Sequence, residues 1–323
     1  MPELRLSHFE SMSSNIKTVL GVDVGGTKVA AGIVRFPTGE LRLWRTLATR
    51  PDRGSEVVLE EVVAMVESLV SEAARAGESI DAIGLGLCEL VDASGRILSA
   101  NCLSWQDGEV RERLGRFAPV TIDSDVRAAA VAEATFGAGR RHKIFLYLTV
   151  GTGISCCLMI DGRPYVGARG ATGTMASSAV AIPCDQCGAV NRRTLEQLAS
   201  GPALVARFNR LDTNVVLTGQ DVMEALKTGD PHALQVVTSA GEALGSNIGL
   251  LVNVLDPEAV ILGGGLGSSE GPFWEAVVAS TRRSIWSDVN RDLPILRAAT
   301  GVSTGVIGAA ISAWRSLGMP EVL

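Results

Sequence analysis

The feature that most constrains this chain is a pattern that occurs twice. In TVLGVDVGGTKVAAGIVRF an apolar, β-branched run reaches the turn Val24-Gly25-Gly26-Thr27 and a second run leads away, and in IFLYLTVGTGISCCLMIDG the turn is Val150-Gly151-Thr152-Gly153. Each reads as a β-hairpin whose glycines leave backbone N–H groups open to close approach by a ligand. Taken singly, either is an ordinary hairpin turn. The repetition, with Asp23 before the first turn and Lys28 after it, points to phosphate, because two such hairpins facing each other can clamp a polyphosphate. Both openings then continue alike, through a glycine turn (Thr38-Gly39, Asp161-Gly162) into a third strand. The chain is therefore expected to form two similar lobes with a cleft between them.

Helical spacing of apolar residues predicts helices from about Ser55 to Ala76 and from about Glu109 to Phe117. The strand PVTID runs into the Ala-rich VRAAAVAEATFG, and the second half carries the long HALQVVTSAGEALGSNIGLLVNVL, ended by Asp256-Pro257, and the apolar strand AVILGGG. Strands that return through helices argue for an α/β architecture, and 323 residues suffice for two domains with cores of their own.

A formal charge of −6 and a pI near 5.3 argue against a protein whose main task is gripping nucleic acid. The first residues lack the apolar core of a signal peptide, and no apolar run is unbroken for long enough to span a bilayer. A cytoplasmic protein with no membrane partner is expected, with residues 1–17 as a disordered tail in which Met12 offers an alternative start. Six cysteines in a chain of this length do not make a disulfide scaffold. Cys88, Cys102, Cys156 and Cys157, in apolar surroundings, read as small hydrophobes.

Two carboxylates close the strand PVTID: Asp123, and Asp125 at the start of the Ala-rich helix. Asp125 suits two roles. It can cap the helix, whose free N–H groups and dipole favour an anion there. If it faces the cleft, it can orient and deprotonate a hydroxyl that attacks phosphorus.

GVDVGGTK, SDVRAAAVAE followed by GAG, LTVGTGISCCLMIDGRPYVGARGATG, TLEQLASG and VILGGG stand in the order found in the ROK family of repressors, open reading frames and sugar kinases, within the actin-like ATPase superfamily. The chain resembles that family from about Leu20 to Ala310. The resemblance implies an α/β fold of two actin-like (ribonuclease H-like) lobes with an interlobe active-site cleft. Residues 18–122 with 305–323 would form the N-terminal lobe and 123–304 the C-terminal lobe, with the helix TGVIGAAISAWRSLG packing back onto the first. It also implies an ATP-dependent kinase acting on an exocyclic primary hydroxyl, Mg²⁺ bridging phosphate oxygens, lobe closure on substrate and a homodimer. Trp and Leu side chains near the C-terminus are read as exposed.

Carried over position by position, Gly25, Gly26, Thr27 and Lys28, with Asp23 beside them, match the first phosphate loop. Gly151, Thr152 and Gly153 match the second, and Gly264 and Gly265 lie in the stretch that passes the adenosine. Asp125 falls on the catalytic base, Asn101 in the sugar loop and Glu196 on a sugar-contacting Glu. The sugar end departs from the pattern. Ser124 stands where sugar kinases of the family read Asn, and Thr174 and Ser177 stand where they read Glu and His. A site built for hydroxyls loses binding when its polar partners are missing, so an amino sugar or a C7 cyclitol is favoured over glucose. An ordinary glucokinase and a non-catalytic sugar sensor are the alternatives. A DNA-binding regulator is disfavoured because only 20 residues precede GVDVGGTK, too few for a DNA-binding domain. The family's zinc loop keeps only Cys184 and Cys187, too few for a tetrahedral structural site, so zinc is not expected.

Overall fold

The computed structural model describes residues 16–183, 187, 190–211 and 215–318. Most of the expected tail lies outside them, and Lys17 already opens a strand. Two compact units form, Met1–Gly137 with Val166–Ala171 and Thr300–Leu323, and Ala138–Tyr165 with Thr172–Ala299.

The first unit is built on a sheet of order β3-β2-β1-β4-β5. The strands β1 (Lys17–Val24), β2 (Lys28–Phe36) and β3 (Glu40–Ala48) form an antiparallel meander, and β4 (Ala82–Leu87) and β5 (Val120–Ser124) continue it in parallel. Every residue of β4 is buried, as a central strand covered on both faces requires. One core joins sheet residues to Val58, Leu59, Val62, Val66 and Leu69 of α1 (Ser55–Arg75), at helical spacing, and to Val110 and Leu114 of α2 (Asp107–Gly115).

The C-terminal helix, Thr304–Ser316, lies so close to the sheet that a Cβ on Gly21 or Gly84 would come within 2.0 or 1.8 Å of the carbonyl oxygens of Val306 and Ala309. It meets α3 (Asp125–Phe136) as tightly, a Cβ on Gly308 falling 1.8 Å from the Ala128 carbonyl. This contact explains a departure from the expected lobes: the division falls after Gly137, not before Asp123, because α3 packs on the C-terminal helix. Trp314 corrects a second expectation. It is buried and stacks on Phe36, ring centroids 4.8 Å apart.

The second unit repeats the topology. The strands β6 (Ile144–Val150), β7 (Ile154–Ile160) and β8 (Arg163–Pro164) are antiparallel, β9 (Ala179–Pro183) and β10 (Val190–Thr194) form a separate ribbon, and β11 (Ala259–Gly263) and β12 (Ile295–Arg297) extend the sheet in parallel from β6. Over this sheet α4 (Gly201–Phe208), α5 (Pro231–Leu255) and α6 (Pro272–Ser284) contribute to one core. Gly241, Gly245 and Gly249 recur every fourth residue along α5 and admit α6 closely, a Cβ on Gly245 coming within 2.5 Å of the Val277 carbonyl. Among the described residues no helix is long and apolar enough to cross a membrane.

Candidate active site

The expected site residues fall into two sets, one in each unit. In the first unit, the β1–β2 turn is closed by the Gly25 N–H on the Lys28 carbonyl at 3.0 Å. Thr49, fully buried, pins it, donating its hydroxyl to the Gly25 carbonyl at 2.6 Å and its N–H to the Thr27 carbonyl at 3.0 Å. Thr27 and Lys28 are exposed. Neither Gly25 nor Gly26 has a positive φ, so the glycines supply a bare backbone here rather than a left-handed turn.

Asp23 precedes this turn, its carboxylate set against Gly305, where a Cβ would come within 2.2 Å of Oδ2. Burial raises the Asp23 pKa to about 6, against the pull of Lys28. At the end of β5, Ser124 takes the N-cap position without a side-chain capping bond, and Asp125 opens the helix, Oδ1 accepting the Val126 N–H at 2.6 Å. Asp125 keeps part of its surface accessible, yet burial of its carboxyl, reinforced by the charge of Asp23, raises its pKa to about 7. Glu89 and Asp123 push the same way, and only the Val126 N–H opposes them. Asp123 is committed elsewhere, to an ion pair with the buried Arg127 at 2.5 Å. The fold thus separates the two carboxylates: Asp123 holds the backbone together and Asp125 is tuned towards neutral pH.

Asn101 is exposed in a loop that a single side chain organises. Glu89, buried just after β4, accepts N–H groups from Asn101 at 2.9 Å, Cys102 at 2.6 Å and Leu103 at 2.9 Å, and the hydroxyl of Ser99. Successive N–H groups converging on one carboxylate make an anion nest filled from within the chain. Sequence reasoning missed Glu89, because its partners lie 10 to 14 residues away in a segment without regular structure.

In the second unit, the β6–β7 turn is closed by the Gly151 N–H on the Gly153 carbonyl at 3.0 Å, and the Gly151 carbonyl accepts the Gly201 N–H at 2.8 Å. Gly264 follows β11 with φ +80°, and a Cβ there would meet the Val150 carbonyl at 2.5 Å, so its glycine is required twice over. Gly265 is drawn beside the same turn, its N 4.0 Å from where a Gly151 Cβ would stand. Glu196 opens the helical turn Glu196–Ala199 and accepts the Ile154 N–H at 3.0 Å. The structure therefore brings Gly151, Thr152, Gly153, Glu196, Gly264 and Gly265 together. Thr174 and Ser177 are exposed on the turn Met175–Ser177, which Gly173 anchors to β7 by accepting the Cys156 N–H at 3.1 Å.

Cys184 lies outside the described residues, and Cys187 is exposed. Among the described residues no group of three or more His, Cys, Asp or Glu side chains is arranged to hold a metal ion. Cys156 and Cys157 are buried and Cys88 and Cys102 half-buried. Burial pushes the Cys156 thiol up to about 11, and burial together with the charge of Asp125 pushes Cys88 higher still, so both stay protonated.

Comparison with known proteins agrees with this architecture. The ROK family model matches residues 19–315, and the chain belongs to that family. It is 29% identical to a ROK family glucokinase from Streptomyces griseus, solved with glucose and AMPPNP, over 92% of this chain and 99% of that one, with a TM-score of 0.77. To a ROK hexokinase from Thermus thermophilus it is 32% identical over 93% of this chain and 99% of that one, with a TM-score of 0.73. It is also 28% identical to a putative xylose repressor from a Caldicellulosiruptor species, over 78% of this chain and 67% of that protein. The fold is accordingly the actin-like fold of the ROK kinases.

Proposed function

We propose that this chain is an ATP-dependent kinase that phosphorylates the exocyclic primary hydroxyl of a sugar or sugar-like ring. The observation that carries the reading is Asp125, a carboxylate at a helix start whose burial and neighbours bring its pKa to about 7. A base matched to the working pH accepts the hydroxyl proton as the oxygen attacks. In this reaction the acceptor oxygen bonds to the γ-phosphorus, the bond from that phosphorus to the β–γ bridging oxygen breaks, ADP leaves, and the proton passes to Asp125. The Gly25 and Gly151 N–H groups close the turns themselves, so the phosphates would be met by the other N–H groups of the Gly25 to Lys28 and Gly151 to Gly153 turns, and Gly264 and Gly265 leave room for the adenosine. Asp23 suits Mg²⁺, whose hard charge favours carboxylate and water oxygens and which, when bound, neutralises phosphate charge.

For the acceptor, three short hydroxyl side chains, Ser124, Thr174 and Ser177, and the Asn101 loop support a ring altered on its anomeric side, an amino sugar or a C7 cyclitol, over glucose. Glu196 supports the same acceptor role only if it can exchange the Ile154 N–H for a substrate hydroxyl. ADP release from ATP and Mg²⁺ across glucose, N-acetylmannosamine, amino-hexoses and hydroxymethyl cyclitols tests the reading. Turnover confined to an amino sugar or cyclitol is expected. A strong preference for glucose would reduce the chain to an ordinary glucokinase, and ATP binding without turnover on any acceptor would make it a sensor.

A further inference from the structure

The residues after β4 fold back on themselves. Val91 and Ile97 form an antiparallel bridge, the Leu98 N–H donates to the Leu90 carbonyl at 2.7 Å, and the Leu90 N–H donates to the Ser99 hydroxyl at 2.8 Å. Beyond Ser99 the returning chain is held by Glu89, whose carboxylate accepts the Cys102 N–H at 2.6 Å. Cys102 is thereby brought back against the residue that follows Cys88. From the other side Cys88 is fixed by donating its N–H to the Val24 carbonyl at 3.0 Å. The parallel pairing of β4 with β5 ends at Leu87 and Ser124, so Cys88 and Asp125 are the next residues on neighbouring strands.

Both thiols are free and half-buried. The Cys102 side chain is near enough to hydrogen-bond the Cys88 thiol. The two sulfurs have different parts to play in any oxidation. Burial, reinforced by the charge of Asp125, keeps Cys88 protonated, and a protonated thiol is a poor nucleophile. Cys88 is thereby excluded as the first attacking sulfur, which leaves Cys102.

We propose that Cys88 and Cys102 form a reversible oxidation site, at which a hydroperoxide converts the pair into a disulfide that fastens the Asn101 loop to the end of β4. The Cys102 sulfur attacks the O–O bond of hydrogen peroxide, taking one oxygen as a sulfenic acid while the other leaves as water. The Cys88 sulfur then attacks the Cys102 sulfur, and the displaced hydroxyl departs as a second water with the Cys88 proton. Two thiols and one hydrogen peroxide thus give one disulfide and two waters. In a disulfide the sulfurs stand about 2.05 Å apart, closer than hydrogen-bonded thiols approach, so the loop is drawn towards β4. On the kinase reading this displaces Asn101 from the acceptor and lowers turnover. Only that consequence rests on the reading, since the bond forms without catalysis.

Treatment of the whole chain with hydrogen peroxide, then alkylation of the remaining thiols, tryptic digestion without reductant and mass spectrometry, tests it. Cleavage after Arg96 separates the two cysteines, so their disulfide is read as a linked pair of peptides. The linked pair is expected to form, to vanish with dithiothreitol and to be absent from Cys102→Ser. In Cys88→Ser the reaction is expected to stop at the Cys102 sulfenic acid, which dimedone traps, and thermal melting checks that both variants fold. The exposed Cys187 reports that the oxidant has acted. Oxidation of Cys187 with Cys88 and Cys102 both still free, or dimedone labelling at Cys88 in Cys102→Ser, would overturn the proposal. Oxidised wild type is expected to release ADP at least about tenfold more slowly and to recover with dithiothreitol, while Cys102→Ser keeps its own untreated rate. A linked pair with undiminished turnover would overturn the effect on the acceptor loop. A linked pair in a chain that turns over no acceptor even when reduced would uphold the oxidation site and defeat the kinase reading, so the two failures are distinguishable.

Discussion

At the scale of single residues, two carboxylates carry opposite lessons. Asp125 is legible in the sequence because it follows a strand and opens an Ala-rich helix, but its elevated pKa comes from burial and from Asp23, about a hundred residues earlier in the chain. A base with a pKa of about 7 must lose its proton to act, so kcat/KM is expected to rise with pH through about 7 and then level off. A profile flat from pH 5.5 to 8.5 would remove Asp125 from that role. The same shift has a stability sign. A raised carboxyl pKa stabilises the fold below its unfolded value, and that contribution is lost as pH rises through about 7. Asp125→Asn is therefore expected to raise the melting temperature at pH 8 by roughly 2–4 °C while abolishing turnover. Glu89 could not have been found by pattern, since a lone Glu after a buried strand carries no signal. Glu89→Gln keeps the shape and removes the charge that three N–H groups share. It is expected to raise the acceptor KM about tenfold with the KM for ATP unchanged. Equal shifts in both constants would indicate general loosening instead.

At the scale of elements, the long helices and both hairpins follow from periodicity and turn chemistry, whereas the closeness of their packing does not. Gly84 reads as one apolar strand residue among several, yet a Cβ there would meet the Ala309 carbonyl at 1.8 Å. Gly84→Ala is expected to leave little soluble, folded protein, while Gly108→Ala, exposed to open space in α2, should stabilise by about 0.5–1 kcal/mol in denaturant titrations. A second tertiary tie escapes sequence reading altogether. Glu133 on α3 is fully buried and accepts the Thr300 N–H at 2.8 Å and its hydroxyl at 2.5 Å. Glu133→Ala would leave those donors without their acceptor and open a void, and is expected to cost about 2–4 kcal/mol. A loss below 1 kcal/mol would show that water replaces the carboxylate.

At the scale of the whole molecule, the repeat read from two glycine-threonine turns corresponds to a shared topology: each unit runs a three-strand meander and then two parallel strands. The first unit extends through Gly137 because α3 packs on the C-terminal helix, which arrives only at the end of the chain, a contact that no local pattern around residues 120–137 announces. The expected homodimer remains a proposal, and one surface supports it. Leu250 and Val254 on α5 are 57% and 69% exposed, and Trp286 and Val289 are 87% and 90% exposed. Asn253 ties the two segments by donating to the Ser284 carbonyl and accepting the Trp286 N–H, each at 2.9 Å. We propose that these exposed apolar side chains are where a second copy of the chain would bury surface. Light scattering is expected to give twice the chain mass of 33.8 kDa, falling to one chain mass in Trp286→Arg.

The most direct test of the central claim is transfer of the γ-phosphate of ATP to the best acceptor of the panel, followed by ³¹P NMR in the wild type and in Asp125→Asn. A new phosphomonoester signal that grows with ADP in the wild type and is at least about a thousandfold slower in the variant is the predicted result. A phosphomonoester formed at similar rates by both proteins would contradict it.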